Sequence, residues 1–207
     1  MTKKSIKTIF LGLLVLFITS ESYACYRGLD CPEDLPKSPK SQTVPEEWKK
    51  LDRYLVKGGL VKDPVTGVIW MRCSFGQTWE GDSCQGKPAK ISWMQAQMIA
   101  ENFEYAGYSD WAIGGVLELK RLVTCESEQS NTSDGCAIGY AGAPTIMQTV
   151  FPATPAVNFW TSSTINNDDA WIVNFATGSS NPDNKETYNA MRLMRKEPLF
   201  FMLHQSF

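Results

Sequence analysis

The side chains best equipped for chemistry in this 207-residue chain are six cysteines, a single histidine and a few charged or aromatic residues beside them. The cysteines fall into three local couples: Cys25 with Cys31, Cys73 with Cys84, and Cys125 with Cys136. Each couple brackets a polar loop containing Gly or Ser. Spacing alone does not dictate the connectivity, but proximity favours these three pairs. None has the Cys-x-x-Cys spacing of a zinc site or of a thioredoxin-type redox pair. A disulfide framework is the expected chemistry, and closing a loop of about a dozen residues this way is worth roughly 3 kcal/mol of chain entropy. One histidine, His204, argues against His-rich zinc sites and against Ser-His-Asp or Cys-His catalysis. Glu80 and Asp82 share the Cys73–Cys84 loop, where acidic residues are ordinarily just solvated. The chain is therefore expected not to be an enzyme.

Binding chemistry is better represented. Trp79 and Gln77 lie in the short polar loop between Cys73 and Cys84. Two readings fit: an exposed ring on which a sugar or a protein stacks, or a lid folded onto the core. Arg192 and Arg195 alternate with Met191 and Leu193, the pattern of a half-buried strand with its arginines pointing out. Guanidinium groups so placed suit bidentate contact with sulfate or carboxylate. The competing reading is an internal ion pair with an acid such as Asp110. Gln77, Trp79, Arg192 and Arg195 are the candidate ligand-binding residues; no metal ligand is assigned.

Charge and targeting bound the partners. Twenty basic against 22 acidic residues give a net charge of −2, no basic excess for nucleic acid. Lys3, Lys4 and Lys7 precede an apolar run from Ile9 to Ile18, and Ser22-Tyr23-Ala24 follows as a cleavage pattern. Residues 1–24 therefore read as a signal peptide. Removing Lys3, Lys4, Lys7 and Glu21 leaves 17 basic and 21 acidic residues, net −4. No later run is long enough to span a bilayer, so the mature chain is expected to be exported to the periplasm, the cell surface or the medium. Cys25 would then be the first mature residue. Ser22 stands where a bacterial lipobox has an aliphatic residue, and lipidation would strand Cys31, so a disulfide is the favoured fate.

The elements that position these side chains follow from pattern. Residues 25–57 read as a Cys-bridged segment, a Pro-rich linker and a short helix opening at Pro45, with Trp48, Leu51 and Leu55 at helical spacing. Asp63–Gly67 separates two apolar runs as a hairpin turn. Helices are predicted over Ile91–Tyr105, capped by Ser92, and over Gly115–Val123. Residues 124–154 read as loop. Three strands are predicted over Asn158–Ser162, Ala170–Phe175 and Thr187–Arg195, with turns at Asn166–Asp169 and Gly178–Asn184. Two helices with an antiparallel sheet and long loops make an α+β domain over residues 58–195.

The order of these pieces resembles a known family. Asp63-x-x-Thr66-Gly67-Val-Ile-Trp70-Met-Arg72-Cys73 resembles the D-x-x-T-G-L-M-W-x-R-C opening of the Lcl C-terminal-domain family. Eight further segments follow in order. Gly76-Gln77-x-Trp79-x-Gly81-x-x-Cys84-x-Gly86 comes first, then Trp93-x-x-Ala96, Ala106-Gly107-Tyr108-Ser109-Asp110-Trp111, Glu118-Leu119 and Phe151-Pro152. Phe159-Trp160-Thr161-Ser162-Ser163-Thr164, Ala170-Trp171-x-Val-x-Phe175-x-x-Gly178 and Met191-Arg192-Leu-Met-Arg195 complete the set. The resemblance implies an exported bacterial domain of C-type lectin-like or formylglycine-generating-enzyme-like architecture. It also implies a binding role like that of a collagen-like surface adhesin associated with sulfated polysaccharides. Two departures stand out: Trp111-Ala112-Ile113-Gly114 replaces the family's W-R-L-P, and the region after Cys125 resembles an insertion.

The resemblance also frames calcium. Asn181-Pro182-Asp183 is similar to the tripeptide with which long-form C-type lectins hold Ca²⁺ and sugar hydroxyls, and Asn166-Asn167-Asp168-Asp169 would add oxygens. The order of the two stretches is reversed relative to those lectins, and both have plain turn composition, so no cofactor is assigned. The expected function is a non-catalytic binding module for a polysaccharide in adhesion. A structural or protein-partner subunit of a surface appendage or secretion assembly is the alternative. The apolar tail 196–207 adds a surface that must dock on its own domain or on a neighbour.

Overall fold

Val68-Ile69-Trp70-Met71 is apolar at every position, as a strand covered on both faces requires. It forms a strand buried at all four residues. In the computed structural model, which describes residues 47–125, 131–132, 135–136 and 142–197, this strand sits inside a six-stranded antiparallel sheet. The signal peptide, the Cys25–Cys31 couple, the Pro-rich linker and the tail after Glu197 lie outside the described residues.

In chain order the strands are β1 (Lys49–Leu51), β2 (Tyr54–Lys57), β3 (Leu60–Lys62), β4 (Val68–Met71), β5 (Thr78–Glu80), β6 (Ser83–Gln85), β7 (Ala112–Ile113), β8 (Asn131–Thr132), β9 (Gly135–Cys136), β10 (Asn158–Thr164), β11 (Asp169–Asn174), β12 (Ser180–Asn184) and β13 (Leu193–Lys196). Helix α1 (Trp93–Glu101) follows β6, and α2 (Val116–Lys120) follows β7. The large sheet runs β1-β2-β3-β4-β13-β7; β10-β11-β12 form a second sheet, and β5-β6 and β8-β9 are small hairpins. The α+β expectation holds.

Strand alternation divides the core in two. Leu60, Ile69, Met71 and Leu193 face one cluster, with Ala96 and Ala100 of α1; Val61, Val68, Trp70 and Met194 face the other, with Leu119 of α2 and Phe151. Successive side chains of a strand point to opposite faces, so the sheet is a wall between two apolar layers. The second sheet feeds both: Trp160 and Ile172 enter the first layer, Phe159 and Val173 the second. Gly59 lets the layers close, since a Cβ there would collide with the Tyr105 hydroxyl and the Trp79 side chain.

The Asp63–Gly67 turn forms as expected, with Gly67 N–H donating to the Asp63 carbonyl at 2.8 Å. Helix α1 begins at the expected cap: Ser92 accepts from Gln95 N–H, and Gln95 reciprocates to Ser92 N–H. Five expectations need correction. The helix read at residues 45–57 is the β1–β2 hairpin, turning at Asp52 with φ 56°. Trp48 enters one apolar layer and Leu51, Tyr54 and Val56 the other, so apolar residues on both faces of a sheet edge imitate a helical stripe. Helix α1 stops at Glu101 rather than Tyr105, because Ala106 (φ 53°) and Gly107 (φ 80°) make a tight turn closed by paired hydrogen bonds between Tyr105 and Tyr108. Helix α2 spans only Val116–Lys120. Within the stretch read as the Gly178–Asn184 turn, Ser180–Asn184 is strand β12; it is an edge strand, where Pro182 is tolerated. The last strand is only Leu193–Lys196, because Asn189 pairs with Ile91 in an isolated bridge, Ala190 bonds to Asn158 and Trp160, and Met191 to Phe75, instead of all joining one ladder.

Candidate functional site

Arg192 is fully buried, which corrects the outward orientation read from its alternation with apolar neighbours. One Nη donates to the Met71 carbonyl at 2.8 Å and, in a short contact, to the Arg72 carbonyl; the other donates to Ser74 Oγ at 3.3 Å and Thr154 Oγ1 at 2.6 Å. The guanidinium lies 4.9 Å from the Phe151 ring centroid. None of these partners is a carboxylate. Burial pulls the guanidinium below its ordinary value, to about 9, so it remains charged at neutral pH. Its fork ties the end of β4, the segment after it and the Thr154 loop to the entrance of β13.

Arg72 forms the neighbouring knot. Its Nε donates to the Val150 carbonyl at 2.7 Å, its Nη2 to the Thr149 carbonyl at 3.0 Å, and its guanidinium stacks 4.1 Å from the Trp79 ring. Trp79 is 7% exposed and packs with Cys73 and Cys84, which form a disulfide. Of the two readings of this ring, the lid is the one realised. Gln77 is buried beside it, accepting from Ser74 N–H and donating to the Ala153 carbonyl at 3.2 Å. The second described disulfide joins Cys125 to Cys136, as expected from proximity.

Arg195 is separate from this knot. Its Nε and Nη2 donate to the two oxygens of Asp110 at 2.7 and 3.0 Å, and its guanidinium lies 3.8 Å over the Tyr108 ring. The internal pair with Asp110 is therefore present. Hydrogen bonding from Arg195 holds the Asp110 carboxyl below its usual range. In the unfolded chain that carboxyl returns to roughly 3.9. The pair thus contributes its full stability above that pH and loses it as pH falls through the lower folded-state value. Asp110 is 52% exposed, so screening keeps the contribution within about 1 kcal/mol. Asp110→Asn is expected to lower stability near neutrality by up to about 1 kcal/mol and to flatten the acid limb of the melting temperature against pH, the two proteins converging at low pH.

An exposed surface does arise where the 165–169 and 184–189 segments meet the start of α1. Lys185 organises it: Nζ donates to the Asn166 and Asn167 carbonyls at 2.7 and 2.9 Å and sits 4.9 Å from the Trp93 ring centroid. Trp93 N–H donates to the Lys185 carbonyl, and Asn189 Nδ2 donates to Asp183 Oδ2 at 2.7 Å. Asn166 Oδ1 takes the N–H groups of Asp168 and Asp169. The backbone is thereby fixed while the side chains of Asn167, Asp168 and Glu186 stay exposed, as does Tyr188, 62% exposed, three residues after Lys185. Among the described residues no group of three His, Cys, Asp or Glu side chains is placed to hold a metal. The sequence reading touched this surface only through Asn166–Asp169 and Asn181–Asp183; Tyr188 and Lys185 were missed, because nothing in their spacing announces exposure or a lysine bridging two loops.

The match to known families agrees with this layout. The family described as Lcl C-terminal domain matches residues 59–195, about two-thirds of the chain. The chain belongs to this family. No curated protein matches it. Within the Lcl C-terminal domain, the residues that carried the resemblance are mostly structural. Trp70, Trp160 and Arg192 are among the largest fully buried side chains, and Trp111 donates its indole N–H to the Tyr108 carbonyl at 3.1 Å. The motifs thus specify the scaffold, and the exposed loops are free to differ. No helix among the described residues is long and apolar enough to cross a membrane.

Proposed function

We propose that the chain is an exported, non-catalytic binding module, of C-type lectin-like arrangement, that takes carbohydrate on the surface around Tyr188. The observation that carries this reading is an exposed tyrosine ring in the same segment as Lys185, which pins the backbone of a loop of exposed amides and carboxylates through the Asn166 and Asn167 carbonyls. A sugar offers an apolar C–H face to an aromatic ring and hydroxyl pairs to planar amide or carboxylate groups. A few oriented polar groups around an aromatic contact are the ordinary composition of a specific small-ligand site. Pre-fixed loops reduce the ordering cost of binding. Export is supported by the basic and apolar leader and by two disulfides, which persist in oxidising compartments. The absence of a catalytic role is supported by the engagement of Cys73, Cys84, Cys125 and Cys136 in those bridges. A protein partner is the second reading, favoured by Leu117 of α2, which is 75% exposed.

A glycan array run with and without EDTA tests the proposal. Binding that survives EDTA and falls by at least about tenfold in Tyr188→Ala is expected, on the order of one aromatic contact. Silence across the array, or binding indifferent to Tyr188, would remove the carbohydrate reading from this surface.

A further inference from the structure

We infer that Val65, Tyr108 and Leu117 form an apolar docking surface around the end of β13, and that its occupant is the chain's own segment of residues 199–203, Leu-Phe-Phe-Met-Leu. Among the described residues six large apolar side chains are exposed, and Val65 at 85% and Leu117 at 75% are the two most exposed. Three consecutive residues at the end of β13 show where they lie. Arg195 pairs with Asp110 at 2.7 Å, and its guanidinium lies over Tyr108, which is 37% exposed. Lys196 pairs with Glu118 at 3.1 Å, and Leu117 is the preceding residue of α2. Glu197 pairs with Lys62 at 2.7 Å, and Val65 follows Lys62 by three residues in the turn from β3 to β4. Each ion pair thus ties the end of β13 to a segment that carries one exposed apolar side chain. Strands β4 and β7 flank β13, and Lys196 lies opposite Val68, the first residue of β4. Apolar residues scattered singly over a surface need no partner, whereas three around one chain exit make a patch.

The position and length of the segment choose the occupant. Residues 199–203 are five consecutive large apolar residues, and the first follows the anchored Glu197 by two positions. Five extended residues reach roughly 16 Å, against roughly 4.8 Å between neighbouring strands, so the segment can pass from β13 over the elements on either side. A segment on so short a link meets the patch at an effective concentration of roughly millimolar, which a second copy would have to match. A bilayer fits less well. Lys62, Arg195 and Lys196 are each matched by an acid, so these pairs offer no surplus cation to an anionic headgroup. Covering the patch removes apolar surface of both the patch and the segment from water. The segment then fills, at Leu117, the place that a protein partner would otherwise take.

The test is limited chymotrypsin digestion of the whole mature chain, with intact mass reporting cleavage after Phe200 and Phe201. Such cleavage follows the population of the open form when reclosing is fast. The parent is expected to be cut slowly at these sites, with a rate constant that does not change on dilution. Leu117→Gln should speed the cleavage roughly tenfold, and Val65→Ser at least about threefold. Met94→Gln, a like change at an exposed apolar residue of α1, should alter it less than about twofold. A urea midpoint for each variant checks that the domain itself is intact, and Val65→Ser carries the test if Leu117→Gln is not. A parent cut as fast as a free peptide of residues 196–207 would overturn the inference. Equal rates in the Leu117, Val65 and Met94 variants would place the segment elsewhere and also overturn it. Protection lost on dilution would make a second copy the occupant, and protection that needs phosphatidylglycerol vesicles would make it a lipid surface; either result would overturn it too.

Discussion

Arg192→Met is expected to be the most damaging single substitution in the domain, lowering stability by roughly 3–5 kcal/mol, the scale for breaking a buried charged network. The side chain is completely buried, and its two Nη atoms serve four acceptors: the carbonyls of Met71 and Arg72 and the hydroxyls of Ser74 and Thr154. Methionine fills most of the volume but withdraws the donors from all four acceptors in a dry interior, where the Thr154 hydroxyl keeps its bond to the Phe151 carbonyl and the other three lose the guanidinium with no replacement from the methionine. Each unmet buried group costs about 1–3 kcal/mol. Since whole domains are stable by only about 5–15 kcal/mol, little folded protein should remain at physiological temperature. Arg192→Lys keeps the charge and should still lose most of this stability, because a single ammonium lacks the flat fork that reaches carbonyls and hydroxyls on separate segments. Urea denaturation of both variants is the measurement. A lysine variant as stable as the parent would mean that charge, not fork geometry, holds this knot.

Removing the Cys73–Cys84 bridge is expected to cost roughly 3 kcal/mol from chain entropy, and then more. The bridge pins the β5–β6 hairpin so that Trp79 covers the Arg72 guanidinium at 4.1 Å. The Cys125–Cys136 bridge has the same sequence separation, 11, and so the same entropic weight, but its hairpin β8–β9 carries no such ring. The paired comparison therefore isolates the packing contribution. Cys73→Ala/Cys84→Ala should be less stable than Cys125→Ala/Cys136→Ala by about 1–2 kcal/mol, the worth of a desolvated cation–aromatic contact. It should also show red-shifted tryptophan emission before global unfolding as Trp79 becomes wet. Equal losses and unchanged emission would reduce Trp79 to a passenger on the disulfide.

Both predictions concern residues that the sequence brought forward for another reason. Trp79 and Arg192 stood out as groups able to touch a ligand, and both belong to the interior. The sequence could not reveal this for Arg192. An arginine between Met191 and Leu193 looks like the polar side of a half-buried strand. Its burial depends on acceptors 38 and about 120 residues away, which no local period records. The cysteine couples were legible because an 11-residue separation closes easily by itself. Arg195 was legible as one of two readings, since Asp110 lies within the same recurring set of segments.

The sequence by itself determined the local pairing of Cys73 with Cys84 and of Cys125 with Cys136, the Asp63–Gly67 turn and the Ser92 cap. It also carried the family, through segments ordered along the chain. All of these are set within a dozen or so residues, or by order alone. Tertiary structure decided the rest. At residues 49–57 apolar side chains at helical spacing became a hairpin, because β3 offered a ladder and two apolar layers offered burial on both faces. At residues 180–184 a turn-like composition became an edge strand, because β11 supplied its partner. Lys185 acquired its role only when folding brought the Asn166 and Asn167 carbonyls to its ammonium. Backbone pairing and side-chain burial are satisfied by whichever distant segment arrives, and the identity of that segment is not written in local spacing.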